Sequence, residues 1–117
     1  MRLMELSDSE IIRISKPMID DVIKGSNEKN WALFLKHQTL KEASCPENRL
    51  NVEKQWEENE FLTSLSTERQ ILGVLRRDGY VNIIWKQTST KVTGDFLAIY
   101  SLEEIDHEIK EAGFRIL

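Results

Sequence analysis

The stretch that decides the fold runs from Ile71 to Leu117 and reads ILGVLRRDGYVNIIWKQTSTKVTGDFLAIYSLEEIDHEIKEAGFRIL. Its centre is Asp78-Gly79, set between two runs rich in aliphatic and β-branched residues. A two-residue type I′ turn needs positive φ at both central positions, which Asp-Gly tolerates, so the pair predicts a β-hairpin. That turn sets the register: Arg76 opposite Val81, Val74 opposite Ile83 and Leu72 opposite Trp85. Side chains alternate along a strand, so Ile71, Leu75, Tyr80 and Ile84 fall on the other face, with Gly73, Arg77, Asn82 and Lys86.

Outward from the hairpin, a strand from Phe96 to Leu102 follows a loop through Thr88 to Gly94. The register expected here aligns Leu97 and Ile99 with Trp85 and Ile83. A two-residue turn at Asp106-His107 then brings back a last strand whose Ala112, Phe114 and Ile116 extend the same floor. A shift of one residue in that strand would turn all three to the opposite face. With this register the second face gains Phe96, Ala98 and Tyr100, and it is too apolar for an exposed sheet.

Upstream, Ser7 stands three residues before Glu10, the spacing of a capping box, so a helix starts there. Ile11, Ile14, Met18 and Val22, with Ile19 and Ile23 beside them, form one buried stripe. Pro17 lies inside the stripe and is expected to kink or divide the helix, and Gly25 to stop it. Ser26 or Asn27 caps a second helix carrying Trp31, Phe34 and Leu35, which ends near His37. Gln38 to Ser44 reads as a connector with a short extended piece at Thr39-Leu40. Pro46 opens a third helix with Val52 and Trp56 on its apolar face and Leu50 near its start. Glu57, Glu58 and Glu60 make a solvated face, and Phe61 to Leu65 is a short edge strand or a loop.

Helices first and a meander afterwards is the α+β order, with the N-terminal helices packed on one face of a curved antiparallel sheet. The 117 residues suffice for one domain, and 40% hydrophobic with 31% charged residues is ordinary for a globular chain. A net charge of −4 with scattered Lys and Arg argues against nucleic-acid binding, which requires a basic stripe. No apolar run approaches the roughly 20 residues of a membrane span, so no membrane partner is expected. The single Cys45 forms no internal disulfide, which points to the reducing cytoplasm. His and Cys pairs at ligand spacing are absent, as is a Gly-rich phosphate loop, so neither metal nor cofactor is expected.

Three amino-terminal helices, then ILGVLRRDGYVNIIWKQTS, a Gly-Asp entry to FLAIYSLEE and a closing IKEAGFRIL resemble the nuclear-transport-factor-2-like superfamily. This cone-shaped, cystatin-like α+β fold is shared with ketosteroid isomerase, scytalone dehydratase and small polyketide cyclases. The resemblance covers nearly the whole chain and rests on element order and strand pattern. It implies a sheet curled around a long helix, a hydrophobic pocket between them, and frequent dimerisation through the outer sheet face. A homodimer would use Ile71, Leu75, Tyr80, Ile84, Phe96 and Tyr100.

The expected pocket wall is Met18 and Val22 from the first helix, Trp31 and Phe34 from the second and Trp56 from the third. Trp85, Leu97 and Phe114 complete it from the sheet. Such lining suits a small apolar molecule and equally suits a filled core. His37, with Asp20 or Asp21 to orient it, is the candidate general base, and Asp21 is the favoured partner. The inner strand positions in this register hold no Asp, Glu, His or Tyr. Two functions are therefore in view. One is a non-catalytic homodimeric domain that binds a small ligand or a partner protein. The other is a small lyase, isomerase or cyclase working through His37 and Asp21, with Cys45 or Gln55 assisting.

Overall fold

A computed structural model describes residues 2–117 and shows an α+β chain, its helices packed on a four-stranded antiparallel sheet of order β1-β2-β3-β4. The helices are α1 (Asp8–Glu28), α2 (Trp31–Leu35), α3 (Leu40–Ala43) and α4 (Pro46–Glu58). The strands are β1 (Gln70–Arg77), β2 (Tyr80–Gln87), β3 (Phe96–Ile105) and β4 (Glu108–Ile116). Short 3-10 turns at Leu3–Glu5 and Glu60–Thr63 complete the elements.

α1 begins at the expected capping box, Glu10 N donating to Ser7 Oγ and Ser7 N to Glu10 Oε1, each at 3.2 Å. Pro17 neither divides nor ends it. Both Pro17 and Arg13, whose carbonyl lacks the helical donor that proline removes, are on the exposed side where water can serve. Gly25 does not stop the helix either. A Cβ there would lie 2.6 Å from Phe34 N and 2.8 Å from Phe34 Cα, so this glycine lets α2 approach α1. The stop is Lys29, in the left-handed conformation, and Asn30 caps α2 by accepting from Leu33 N. Ser26 and Asn27, expected as caps, are inside α1; Ser26 Oγ donates to Leu62 O, while Asn27 bonds Leu65 through both N–H and C=O.

Pro46 opens α4 as expected, with Val52 half-buried and Trp56 buried; Leu50, by contrast, is exposed. The connector after His37 makes a parallel bridge from Gln38 to Glu111 before coiling into α3. Phe61 to Leu65 is mostly 3-10 turn, ending in a bridge from Leu65 to Ser89.

Both turn dipeptides behave as read: Asp78 and Gly79 have φ of 53° and 84°, Asp106 and His107 of 52° and 68°. The hairpin register holds from Arg77 opposite Tyr80 to Val74 opposite Ile83. A bulge then intervenes, so Ile71 and not Leu72 faces Trp85. Between β2 and β3 the register is one residue from the expected one: Tyr100 opposes Ile83 and Ala98 opposes Trp85. Both faces of FLAIYSLEE begin apolar, and a long loop does not fix register, so burial decides it. The chosen set ends in Leu102, fully buried, and the rejected one would have ended in Glu103.

A second bulge, at Ala112, lets Phe114 oppose Tyr100 and Glu111 oppose Leu102. Both bulges are on edge strands, where an extra residue bends the strand and re-aims its side chains. The core thus lies between Ile11, Met18, Ile19, Val22 and Ile23 of α1 and the inner face of β2 and β3. Several positions change sides: Leu72 and Ile99, expected on the inner floor, turn outward, and Ala98, expected on the outer face, is buried inside. Leu97, expected in the pocket, faces outward and is exposed, whereas Ile71, Phe96 and Tyr100, expected at a dimer face, point inward.

Candidate functional site

α1 presents two neighbouring acids toward the sheet end of the fold, and each finds a different cation. Asp20 pairs with Arg69, whose side chain is only 8% exposed and whose Cζ sits 5.9 Å from the Trp85 ring. Burial pushes Asp20 up, but the bonds from Arg69 and Lys16 prevail and hold it below the usual carboxylate range. Asp21 Oδ2 lies 2.8 Å from His37 Nε2 and 3.4 Å from Lys36 Nζ. The His37 bond is the main cause that holds Asp21 low, burial opposes it, and Lys36 adds to it. Of the two acids offered to His37 by the sequence, the structure chooses Asp21.

His37 is tied to the sheet by its backbone: Glu111 N donates to His37 O at 2.6 Å, and Thr39 N donates to Glu111 O at 2.9 Å. This fixes the histidine beside the inner side of β4, where the bulge at Ala112 has turned Glu111 inward. Burial pushes the Glu111 carboxyl up to about 7 against the pull of the Tyr100 hydroxyl; the charge of Glu42 adds to the rise and Gln38 subtracts from it. Burial also raises Tyr100, reinforced by Glu111 and, more weakly, by Asp21. Hydroxyl and carboxyl thus sense each other without closing a bond of good geometry: Tyr100 Oη and Glu111 Oε1 have no hydrogen-bond partner among the described residues. Buried polar atoms are normally satisfied, so two unmet ones on one inner face are spare capacity for a polar group. The inner floor therefore does carry an acid and a tyrosine, contrary to the expected register.

Beside this polar group lies a cleft of about 720 Å3 between α4 and the ends of β3 and β4. Aromatic packing builds its wall. Phe34 meets Trp56 edge to face at 5.4 Å, Trp31 stacks on Phe34 at 5.8 Å, and Phe61 contacts Phe96 at 3.9 Å. Trp56 is held by its Nε1 donating to Ser26 Oγ at 3.1 Å. Phe114 lines the cleft and also stacks on Trp85 at 5.9 Å, with Tyr100 at 6.2 Å. It is the partition between the cleft and the Tyr100–Glu111 pair.

Of the expected pocket wall, Phe34, Trp56 and Phe114 line this cleft, and Trp31 backs it. Met18, Val22 and Trp85 are core, and Leu97 is on the far side of the sheet. Trp85 Nε1 donates to the buried Gln87 at 2.8 Å, and Gln87 spends its own amide hydrogens on Ser66 O and Thr88 O, so that network is structural. Gln55 lines the cleft and Cys45 is exposed at the start of α4; neither bonds to Asp21 or His37.

Sequence reasoning did not single out Glu111 or Arg69 and placed Tyr100 on the outer face. Bulge-dependent orientation leaves no periodic signal, but the amides that α4 and its C-terminal cap turn to the cleft, Asn48, Asn51 and Gln55 with Asn59, recur at helical spacing and were readable. Among the described residues no group of His, Cys, Asp and Glu is arranged to hold a metal ion, and no helix is long and apolar enough to cross a membrane. No protein-family model matches the chain, and comparisons with curated proteins and with solved structures find no significant match.

Proposed function

We propose that this chain is a small-ligand-binding domain of the nuclear-transport-factor-2-like type, acting as a homodimer and not as an enzyme. The observation that carries the reading is the cleft beside α4. Its volume is within the roughly 300 to 1,000 Å3 of small-molecule sites, and it combines aromatic walls with a few polar groups. Helices packed on a four-stranded meander, with α1 across its inner face, support the family reading. Exposed Leu75, Tyr80 and Leu97, with half-buried Ile84 and Ile99, support an outer face covered by a second copy. Asn82 and Ser101, bonded to each other at 2.5 Å, would lie among these residues as its polar centre. A reducing compartment such as the cytoplasm suits the exposed, unpaired Cys45.

The test is an unbiased mass-spectrometric search for a small molecule carried by the natively purified protein, run beside Val52→Trp, which fills the cleft. A molecule present with the natural chain and depleted with the variant is the expected result. Identical extracts from both would reject the cleft as the binding site.

A second reading draws on the Asp21–His37 pair. If Nε2 donates to Asp21, Nδ1 keeps its lone pair and serves as a general base, the chemistry of a small lyase, isomerase or cyclase. Proton exchange from carbon next to a carbonyl, followed by NMR in heavy water over a panel of ketones, tests it. Exchange abolished in His37→Gln supports that reading, and exchange no faster than in buffer removes it.

A further inference from the structure

We infer that the cleft takes a flat, uncharged heteroaromatic molecule with hydrogen-bond donors and acceptors on adjacent ring positions. The inference rests on the cleft being a binding site and adds the chemistry of its occupant. Among the described lining residues the one charged side chain is Arg115, whose strand position opposite Ile99 belongs to the outer face and puts it at the rim. No carboxylate side chain lines the cleft, so no side chain there offers a cation a counter-charge. One rim arginine is too little for a polyanion. A neutral occupant leaves no charge uncompensated among the side chains that line the cleft, with Arg115 free to face solvent at the rim.

Its shape follows from the walls. Phe34 with Trp56, Phe61 with Phe96, and Phe114 offer ring faces and edges, against which a flat π-system gains more than a saturated body of equal area. Its polar pattern follows from α4. Of the four amides lining the cleft, Asn48 donates to Glu42 O and Gln38 Oε1, and Asn59 accepts from Phe61 N. Asn51 and Gln55, four residues apart and therefore stacked on one helix face, bond to no described residue. A carboxamide holds a donor and an acceptor side by side in one plane, the geometry that reads the edge of a nitrogen heterocycle in two matched bonds. Two free carboxamides beside an aromatic wall combine stacking with edge recognition.

The experiment is titration of 15N-labelled protein, reading the side-chain amide signals of Asn51 and Gln55 and the indole signal of Trp56. The probes are lumichrome and adenine as heteroaromatics, 2-naphthol as an aromatic without such an edge, and naphthalene-2-sulfonate as an anion. A heteroaromatic should move all three sets of signals and bind at least about tenfold tighter than either naphthalene, with the preference lost in Asn51→Leu/Gln55→Leu, since two hydrogen bonds are removed. Both substitutions are at exposed helix positions and leave the aromatic wall intact. If 2-naphthol binds as well as lumichrome and the double variant changes nothing, the heteroaromatic class is wrong and the cleft remains a binding site. If no probe moves any cleft signal, both readings fail together.

Discussion

Glu111 and Phe114 stand three residues apart on β4 yet face the same side of the sheet, because Ala112 is a bulge between them. Phe114 thereby stacks on Trp85, and Glu111 is carried into the interior with 2% of its surface exposed. Unfolded, its carboxyl titrates near 4.5; folded, near 7. Between those values the folded chain holds a proton that the unfolded chain releases, so this group's contribution is complete below 4.5 and is lost as pH rises through about 7. The shift corresponds to about 3 kcal/mol. Urea unfolding across this range should show the natural chain losing stability toward alkaline pH, with Glu111→Gln removing that slope and being the more stable of the two above it. Parallel profiles for the two proteins would reject the buried neutral acid.

Gly25 gives a prediction whose sign separates packing from propensity. In an open helix interior Gly→Ala is worth up to about 1 kcal/mol of added stability. Here the new methyl meets the Phe34 backbone at under 3 Å, and backbone cannot step aside as a flexible side chain does. Gly25→Ala should therefore cost about 2 to 3 kcal/mol in thermal or chemical unfolding, the scale of overpacking. Gly113→Ala, with nothing within 4 Å of the added atom, should be neutral or slightly stabilising.

These two residues also show where the sequence is legible. Short turns declare their geometry locally: Asp78-Gly79 and Asp106-His107 determine two hairpins through positive φ, and the Ser7/Glu10 box marks the start of α1. The α1 stripe is equally direct, since its period is set by the helix itself. What stayed hidden depends on partners distant in sequence. Gly25 reads as a helix stop until Phe34 is seen against it. Tyr100 reads as an outer residue because the loop before β3 allows either register, and the choice is made by burying Leu102 and exposing Glu103 in its place. Bulges at Leu72 and Ala112 break the period of two on which face assignment rests, so Ile71 and Glu111 changed meaning. His37 and Asp21 come together because α1 carries Asp21 and the backbone bond from Glu111 holds His37 beside β4.

The Asp21–His37 contact makes a measurable claim of its own. His37 is the leading cause of the low Asp21 carboxyl, with Lys36 contributing less. His37→Ala should raise Asp21 back toward its ordinary value, because the strongest lowering cause is removed while burial and Lys36 at 3.4 Å act against each other. Carboxyl 13C shifts followed through an acid titration read this directly. A group depressed in the folded state stabilises above its unfolded value and loses that contribution as pH falls through its folded one. The stability gap between the natural chain and the variant should therefore narrow on acidification below about 3.8. A gap independent of pH would assign the contact to packing alone.

The register of β3 converts the dimer proposal into a contrast between two tyrosines. Tyr80 is on the outer face and is 40% exposed, whereas Tyr100 is fully buried against Phe114. A glutamate at an apolar interface leaves a charge without a partner, so Tyr80→Glu or Leu97→Glu should give a monomer mass by light scattering at protein concentrations where the natural chain is dimeric. Both positions face solvent in the single chain, so helical content and thermal midpoint of the resulting monomer should stay close to those expected for a folded domain. Tyr100→Glu should instead unfold the protein, since it adds a second carboxyl beside Glu111 in the interior. A natural chain that is monomeric at every concentration measured would refute the covered outer face. A folded, monomeric Tyr100→Glu would mean that the β3 register is the other one.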